Sequence, residues 1–369
     1  MKRRWFKIAG ALLALAVGGF LLAAAGLMPI KASSGHWPIT SWLLKFTMRR
    51  SVATHTLGLK PPKLDTPDLV LQGAGHYETG CRSCHGSPGA PLPRVPQQMT
   101  PHPPNLLPVI AELKPDELFY VVKHGVKFTG MPAWPTQQRD DEVWAMVAFL
   151  LEFPNLDVAS YRQLIFGESP AAVEAISLQA LSPVVEVSET AAIHCDRCHG
   201  RGEGVFPRLG GQRPAYLFAA LQAYARGDRH SGIMSPIAAA MRSDDMQQLA
   251  DYYSHLEVPT PPSRASAEAS SVARGKTIAH DGIPGQRVPS CVDCHGPSSL
   301  PRNPVFPILA GQYADYLELQ LKLFQTQHRG GSAYAHLMHP VAAWLTPENM
   351  RDVALYYASL TTDSHHLKP

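Results

Sequence analysis

The cysteines of this chain fall into pairs, and each pair is followed at once by a histidine. The pentapeptides are Cys81-Arg82-Ser83-Cys84-His85, Cys195-Asp196-Arg197-Cys198-His199 and Cys291-Val292-Asp293-Cys294-His295. Together they use all 6 cysteines, and Gly86, Gly200 and Gly296 follow them. Two thiols three residues apart on a tight turn can reach the two vinyl groups of one porphyrin and form thioethers. The adjacent histidine then lies under the iron as its proximal ligand. The spacing predicts three covalently bound haem c groups. Disulfides fit poorly, because the pairs are far apart in a chain long enough for ordinary cores. Zinc needs four ligands per site and leaves the fixed place of the histidine unexplained.

Haem iron has two axial positions, and the second decides the chemistry. If both are filled, the group shuttles electrons. If one is open, it binds oxygen, peroxide or nitric oxide. Met131, in Gly130-Met131-Pro132-Ala133-Trp134, is the second-ligand candidate of the first motif. Met234 and Met338 hold matching places after the other two, each with a proline two residues on. A thioether sulfur is soft and neutral, favours ferrous iron and raises the reduction potential. A lone methionine more often fills a core. Three in the same relative place favour ligation. His336 and His339 stay open as alternatives to Met338, and Met241 is a rival to Met234. His124 and His230 read as loop histidines, and His194 as lining a haem edge.

Helices must position these residues, and no strong strand pattern is visible. The fold class is all-α. An opening helix with Gly73 and Tyr77 leads into Cys81, and a proline-rich loop runs from Pro101 to Pro104. A last helix starts near Asp140-Asp141, which suits a helix N-terminus. Val143, Trp144, Val147, Ala148 and Leu151 recur in it at helical spacing.

The rest of the chain is an internal repeat. Phe206-Pro207-Arg208-Leu209 matches Phe306-Pro307-Ile308-Leu309, and Gly211-Gln212 and Tyr216-Leu217 match Gly311-Gln312 and Tyr316-Leu317. Tyr252-Tyr253 matches Tyr356-Tyr357. The offset grows from 96 at the cysteines to 100 and then 104, so two short insertions separate the copies. Each copy is expected to close with a capped helix, Ser243 before Asp244-Asp245 and Thr346 before Pro347-Glu348. Pro259, Pro261, Pro262 and a Ser/Ala-rich run to Ser271 read as the linker between copies. The stretch from Asp157 to Ser188 reads as a connector.

At the start of the chain, Lys2, Arg3, Arg4 and Lys7 precede an uncharged run from Ile8 to Met28, long enough to span a bilayer. The basic flank stays in the cytoplasm and places the remainder of the chain outside it. A cleaved signal peptide, with Ala23-Ala24-Ala25 at the cleavage site, is the alternative to an anchor. Both place the haem domains in the periplasm, with the anchor in a bacterial inner membrane and in contact with lipid. His36 to Arg50 reads as a short interfacial helix, with Trp37, Trp42, Leu43, Leu44 and Phe46 beside Lys45, Arg49 and Arg50, or alternatively as a packing segment on the first domain. Pro61, Pro62 and Pro67 mark a stiff connector.

A chain of 369 residues, 45% of them hydrophobic, has room for two or three domains. Its 34 prolines and 17% charged residues suit compact domains with long stiff loops. The net charge of +3 gives no argument for nucleic acid as a partner, and no phosphate-binding glycine loop is present.

These motifs together resemble the class I c-type cytochromes, and the repeated half resembles the di-haem cytochrome c4 group. The resemblance rests on C-x-x-C-H-G, on Phe-Pro-x-Leu-x-Gly-Gln, on the methionine with a following proline, and on the closing Tyr-Tyr helix. It implies three consecutive class I cytochrome domains after a transmembrane helix. Their bounds are 68–158, 187–258 and 271–362, preceded by an N-terminal segment at 1–32 and a juxtamembrane segment at 33–67. It also implies that loop-proline carbonyls, those of Pro207 and Pro307 and by position Pro104, accept a hydrogen bond from the proximal histidines. The second copy is the shorter, with 39 positions from Cys195 to Met234 against 47 from Cys291 to Met338. It also lacks a clear opening helix.

The expected function is electron transfer by a tri-haem carrier, from a periplasmic dehydrogenase or quinol-oxidising complex to a terminal oxidase or small cytochrome. A peroxidase with one open haem and a dedicated subunit of a dehydrogenase complex are the alternatives. A gas sensor ranks last, because no output domain is visible.

Overall fold

The computed structural model describes residues 2–28, 30–90, 92–167, 195–200, 206–256, 269–298 and 302–361. Among them the protein is all-α, apart from one isolated bridge between Ile283 and Val288. Helix α1 (Lys2–Ala24) is the one described helix long and apolar enough to cross a membrane, and its side chains from Arg3 on are exposed. Helix α2 (Pro38–His55) comes next, longer than expected by one turn at its C-terminal end.

The first unit holds α3 (Pro67–Gly80), α4 (Arg82–His85), α5 (Leu106–Glu112), α6 (Pro115–His124), α7 (Asp140–Glu152) and α8 (Val158–Phe166). Pro67 is not part of the connector. It opens α3 at a first-turn position, where its missing N–H costs nothing. α3 and α7 cross so closely at Gly73 that a Cβ there would lie 2.1 Å from the Ala145 carbonyl oxygen. Tyr77, fully buried, packs on Phe149 and Phe153 at 5.1 and 5.2 Å. Its hydroxyl donates to the Gly86 carbonyl at 2.8 Å. The crossing thereby fixes the turn that carries the first Cys-x-x-Cys-His.

The connector expected from Asp157 begins instead with α8. Asp157 caps that helix at Ser160 N, and Tyr161 and Ile165 complete the first unit's core. The apolar periodicity of this segment is short, so only its packing shows that it belongs to the core. α2 leans on α6 and joins the unit through Arg49 and Glu112 at 2.5 Å. Trp37, which precedes α2, and Ile39, Trp42, Leu43 and Phe46 on it stay exposed.

The second unit holds α9 (Asp196–His199), α10 (Pro214–Arg226), α11 (Met234–Ala239) and α12 (Ser243–Ser254). The third holds α13 (Ala269–Asp281), α14 (Val292–His295), α15 (Ala314–Gln325), α16 (Ala335–Ala343) and α17 (Pro347–Ser359). The repeat is visible in single contacts. Gly211 N donates to Tyr253 O at 3.2 Å, and Gly311 N donates to Tyr357 O at 2.9 Å. α13 crosses α17 at Gly275, where a Cβ would lie 2.0 Å from the Asp352 carbonyl oxygen.

Thr346 caps α17 through Asn349 N at 3.1 Å, and Pro347 takes the first helical position. Ser243 does not cap α12. It is the first helical residue, and Arg242 precedes it with no side-chain cap. Asp244 and Asp245 stand in that first turn, where negative charge suits the helix N-terminus. The opening segment of the second unit, with His194, and the linker prolines Pro259, Pro261 and Pro262 lie outside the described residues.

Candidate haem-binding sites

Each pentapeptide folds as one helical turn, α4, α9 or α14. His85 N and His295 N each bond back to the first cysteine's carbonyl at 2.9 Å. A single turn therefore carries both thiols and the imidazole toward one side. No disulfide joins any of the six cysteines. Burial pushes Cys81 up to about 12, and Cys195 and Cys291 up to about 11. A dithiol redox motif needs the reverse, a thiol pKa lowered toward neutrality.

The imidazoles are oriented by proline carbonyls. His199 Nδ1 lies 2.9 Å from Pro207 O, His295 Nδ1 lies 3.0 Å from Pro307 O, and His85 Nδ1 lies 3.4 Å from Pro104 O. A carbonyl at Nδ1 requires the proton there and leaves Nε2 with a free lone pair. Burial lowers the pKa of all three imidazoles, against the opposing pull of the proline carbonyls. A neutral imidazole with a free Nε2 is the form that binds iron.

One cavity of about 750 Å³ brings the second and third sets together. Cys195, Cys198, His199, Pro207 and Met234 line it, and so do Cys291, Cys294, His295, Pro307 and Met338. Met241 and Leu345 line it as well, at the matching positions of the two copies. Of the histidine alternatives, His336 is exposed, and His339 Nε2 sits 2.7 Å from the Arg329 carbonyl oxygen. Met338, half-buried, faces the cavity.

The first set does not line this cavity. Met131 sits in a loop closed by Val126 N to Met131 O at 3.2 Å and Met131 N to Thr129 Oγ1 at 3.0 Å. Met99, unremarked in the sequence, brings its sulfur 2.8 Å from where a Gly130 Cβ would stand. His124 is exposed and lies tilted against Tyr120 with ring centroids 4.6 Å apart, while His230 offers its backbone carbonyl to Arg139.

The first unit nonetheless walls the second site. Gln72, Gly75, His76 and Thr79, spaced along one face of α3, line the shared cavity. A Cβ on Gly75 would lie 3.4 Å from the Cys198 sulfur. His76 is 2% exposed, and neither ring nitrogen has a hydrogen-bond partner. Burial, helped by the Arg139 charge, pushes its pKa down to about 3.

Sequence reasoning also passed over two arginines. Arg229 donates to the Tyr316 hydroxyl at 3.1 Å, and Arg329 donates to the Tyr216 hydroxyl at 3.3 Å. Both line the cavity, and no carboxylate pairs with either among the described residues. Burial and the neighbouring Arg229 lower the pKa of Arg329. Two buried like charges without counter-ions are costly. Anionic groups in the cavity would offset that cost, and the propionates of a haem are such groups. The repeat held the signal, because Arg229 and Arg329 are 100 residues apart, the offset of Phe206 and Phe306.

The thiols, the neutral imidazoles, the thioethers and the uncompensated cations fit haem c. The thiosulfate dehydrogenase electron acceptor of Thiomonas intermedia is 34% identical over 173 residues, which cover 46% of this chain and 79% of that protein. Cytochrome c-552 of Acidithiobacillus ferridurans is 35% identical over 207 residues, covering 53% and 84%. The chain belongs to the c-type cytochromes of the cytochrome c4 kind. Residues 68–150 match a family described as cytochrome c oxidase, cbb3-type, subunit III. A solved cytochrome c4 from Acidithiobacillus ferrooxidans is 34% identical, covers 45% of this chain and 98% of its own, and superposes with a TM-score of 0.40.

Proposed function

We propose that this cytochrome carries three haem c groups, is anchored in the bacterial inner membrane, and passes electrons through the periplasm. The three haem units are those at 68–158, 187–258 and 271–362, the first continuing through α8. The observation that carries the reading is the shared cavity, lined by two related sets of Cys, Cys, His and Met. Bound haem c supplies a one-electron ferric/ferrous couple.

The chain's own residues do the rest. Cys81, Cys84, Cys195, Cys198, Cys291 and Cys294 would hold the porphyrins covalently. His85, His199 and His295 would bind iron through Nε2, turned by Pro104, Pro207 and Pro307. Met131, Met234 and Met338 would each supply a second iron ligand, a soft thioether that favours the ferrous state. Arg229 and Arg329 would meet the propionates of the second and third groups. With the second and third sites in one cavity, electrons would need no exposed step between them.

α1 would span the membrane, and the exposed Trp37 before α2 and Trp42 and Phe46 on it would lie at its surface. Relatives named as electron acceptors of thiosulfate dehydrogenase favour a periplasmic dehydrogenase of that kind as donor. A terminal oxidase or small cytochrome is the matching acceptor. A dedicated subunit of a dehydrogenase complex is the second reading, favoured by the same names. Stable co-purification with a dehydrogenase subunit selects it.

A stepwise redox titration with optical spectra tests the proposal. Three haems at positive potentials, with the weak far-red sulfur-to-ferric-iron band and no carbon monoxide uptake, are expected. One haem at low potential, or one that takes up carbon monoxide readily, overturns the methionine assignment at that site and favours an enzymatic role.

A further inference from the structure

Glu142 on α7 is 1% exposed and belongs to the first unit, yet half of its donors come from the second. Its Oε1 accepts the Ser231 hydroxyl at 2.7 Å and meets Arg139 Nη1 at 3.0 Å. Its Oε2 accepts Gly232 N at 2.6 Å and Trp134 Nε1 at 3.2 Å. Four donors on two oxygens fill a carboxylate's acceptor sites, and an amide could not take them all.

Each donor leads to a methionine loop. Trp134 stands three residues after Met131, and its backbone N bonds to Lys123 O at 2.9 Å, which closes that loop. Ser231 stands three residues before Met234. Having donated to Glu142, its oxygen accepts Met234 N at 3.1 Å and Ile233 N at 3.3 Å. Arg139 adds a bond to the His230 carbonyl at 3.0 Å. The loops also touch directly, because a Cβ on Gly232 would stand 2.0 Å from Trp134 Nε1. Among the described residues the third unit shows no such device. Counting back from Met338 as from Met234, Ala335 takes the place of Ser231 and offers no hydroxyl.

We propose that Glu142 is a positioning residue shared by two haem sites, tying the Met131 loop and the Met234 loop into one hydrogen-bonded unit. Axial ligation at the first and second sites is thereby coupled, and ligation at the Met338 site is independent of it. The proposal rests on the reading of Met131 and Met234 as axial ligands.

The test uses the full-length holoprotein and three kinds of variant. Glu142→Gln replaces two acceptor oxygens by one. It is expected to weaken the far-red band at two of the three haems and to shift their ferric/ferrous equilibria toward ferric by about tenfold, equivalent to about 59 mV for one electron. Ser231→Ala is expected to move the second site alone. The third haem serves as the internal control in both. If Glu142→Gln lowers thermal stability but leaves all three potentials and the band unchanged, the clamp is only structural and the proposal fails. An equal shift of all three haems overturns it too, since that is general loosening. Met131→Ala and Met234→Ala separate the two levels. If they move the potentials while Glu142→Gln does not, the clamp alone is wrong. If they leave the band intact, the ligand reading itself is wrong and the clamp falls with it.

Discussion

Gln212 and Gln312 make the same exchange in opposite directions across the boundary between the repeated units. Gln212 donates to Ile308 O at 2.9 Å and accepts Ile308 N at 2.7 Å. Gln312 donates to Arg208 O at 3.0 Å and accepts Arg208 N at 3.0 Å. Each side chain completes a loop that also carries a histidine-orienting proline, Pro307 or Pro207. The interface and the imidazole positions are therefore one structure.

Replacing either glutamine by alanine removes two hydrogen bonds to a part-buried N–H and C=O across the boundary. Each such bond contributes about 0.5–1.5 kcal/mol net. Gln212→Ala and Gln312→Ala are expected to destabilise to similar degrees, and the double variant to lose less than the sum, because the interface opens once. Chemical denaturation of the four proteins measures this.

Arg229 and Arg329 place positive charge in the haem cavity. A nearby cation favours the ferrous state, which carries one positive charge fewer than the ferric. Arg229→Met and Arg329→Met are each expected to lower the potential of the second and third haems by tens of millivolts, where about 59 mV is a tenfold change. The first haem should not move. Spectroelectrochemistry resolves the three.

Gly73 has no room for a methyl group against the Ala145 carbonyl. Gly73→Ala forces α3 and α7 apart and is expected to cost at least the about 1–3 kcal/mol usual for overpacking. Because Tyr77 on α3 holds Gly86, covalent haem content at Cys81 and Cys84 should fall with it. Gly10→Ala in α1, where a Cβ meets nothing within 4 Å, is the control and should leave both unchanged. Thermal unfolding and haem-staining yield read out the pair.

His76 sets a pH dependence. Its pKa is about 3 in the folded protein, against an ordinary value of 6.5. Below 6.5 the unfolded chain takes up the proton and the folded chain does not. Its contribution to stability is complete above pH 6.5 and is lost as pH falls toward 3, at about 1.4 kcal/mol per pH unit. His76→Leu is expected to flatten the stability profile in that window relative to the parent. Denaturation midpoints from pH 4 to pH 7 measure the difference.

The c-type cytochrome family was legible in the chain alone. Covalent attachment needs a fixed local spacing, and Cys81-Arg82-Ser83-Cys84-His85 with its two counterparts carries that spacing within one helical turn. The all-α class, the opening and closing helices of the first unit and the repeat could be read for the same reason, since helical periodicity and repeated order are properties of the chain itself. Packing governed which residues meet. A shared cavity, the pairing of Gln212 with Ile308, the approach of α3 to Cys198, and the convergence of Trp134, Ser231 and Gly232 on Glu142 all join residues that are far apart in sequence. Nothing local marks Glu142 as different from any acidic residue in a first helical turn. Burial between two units made it a site, and burial is a property of the packed molecule.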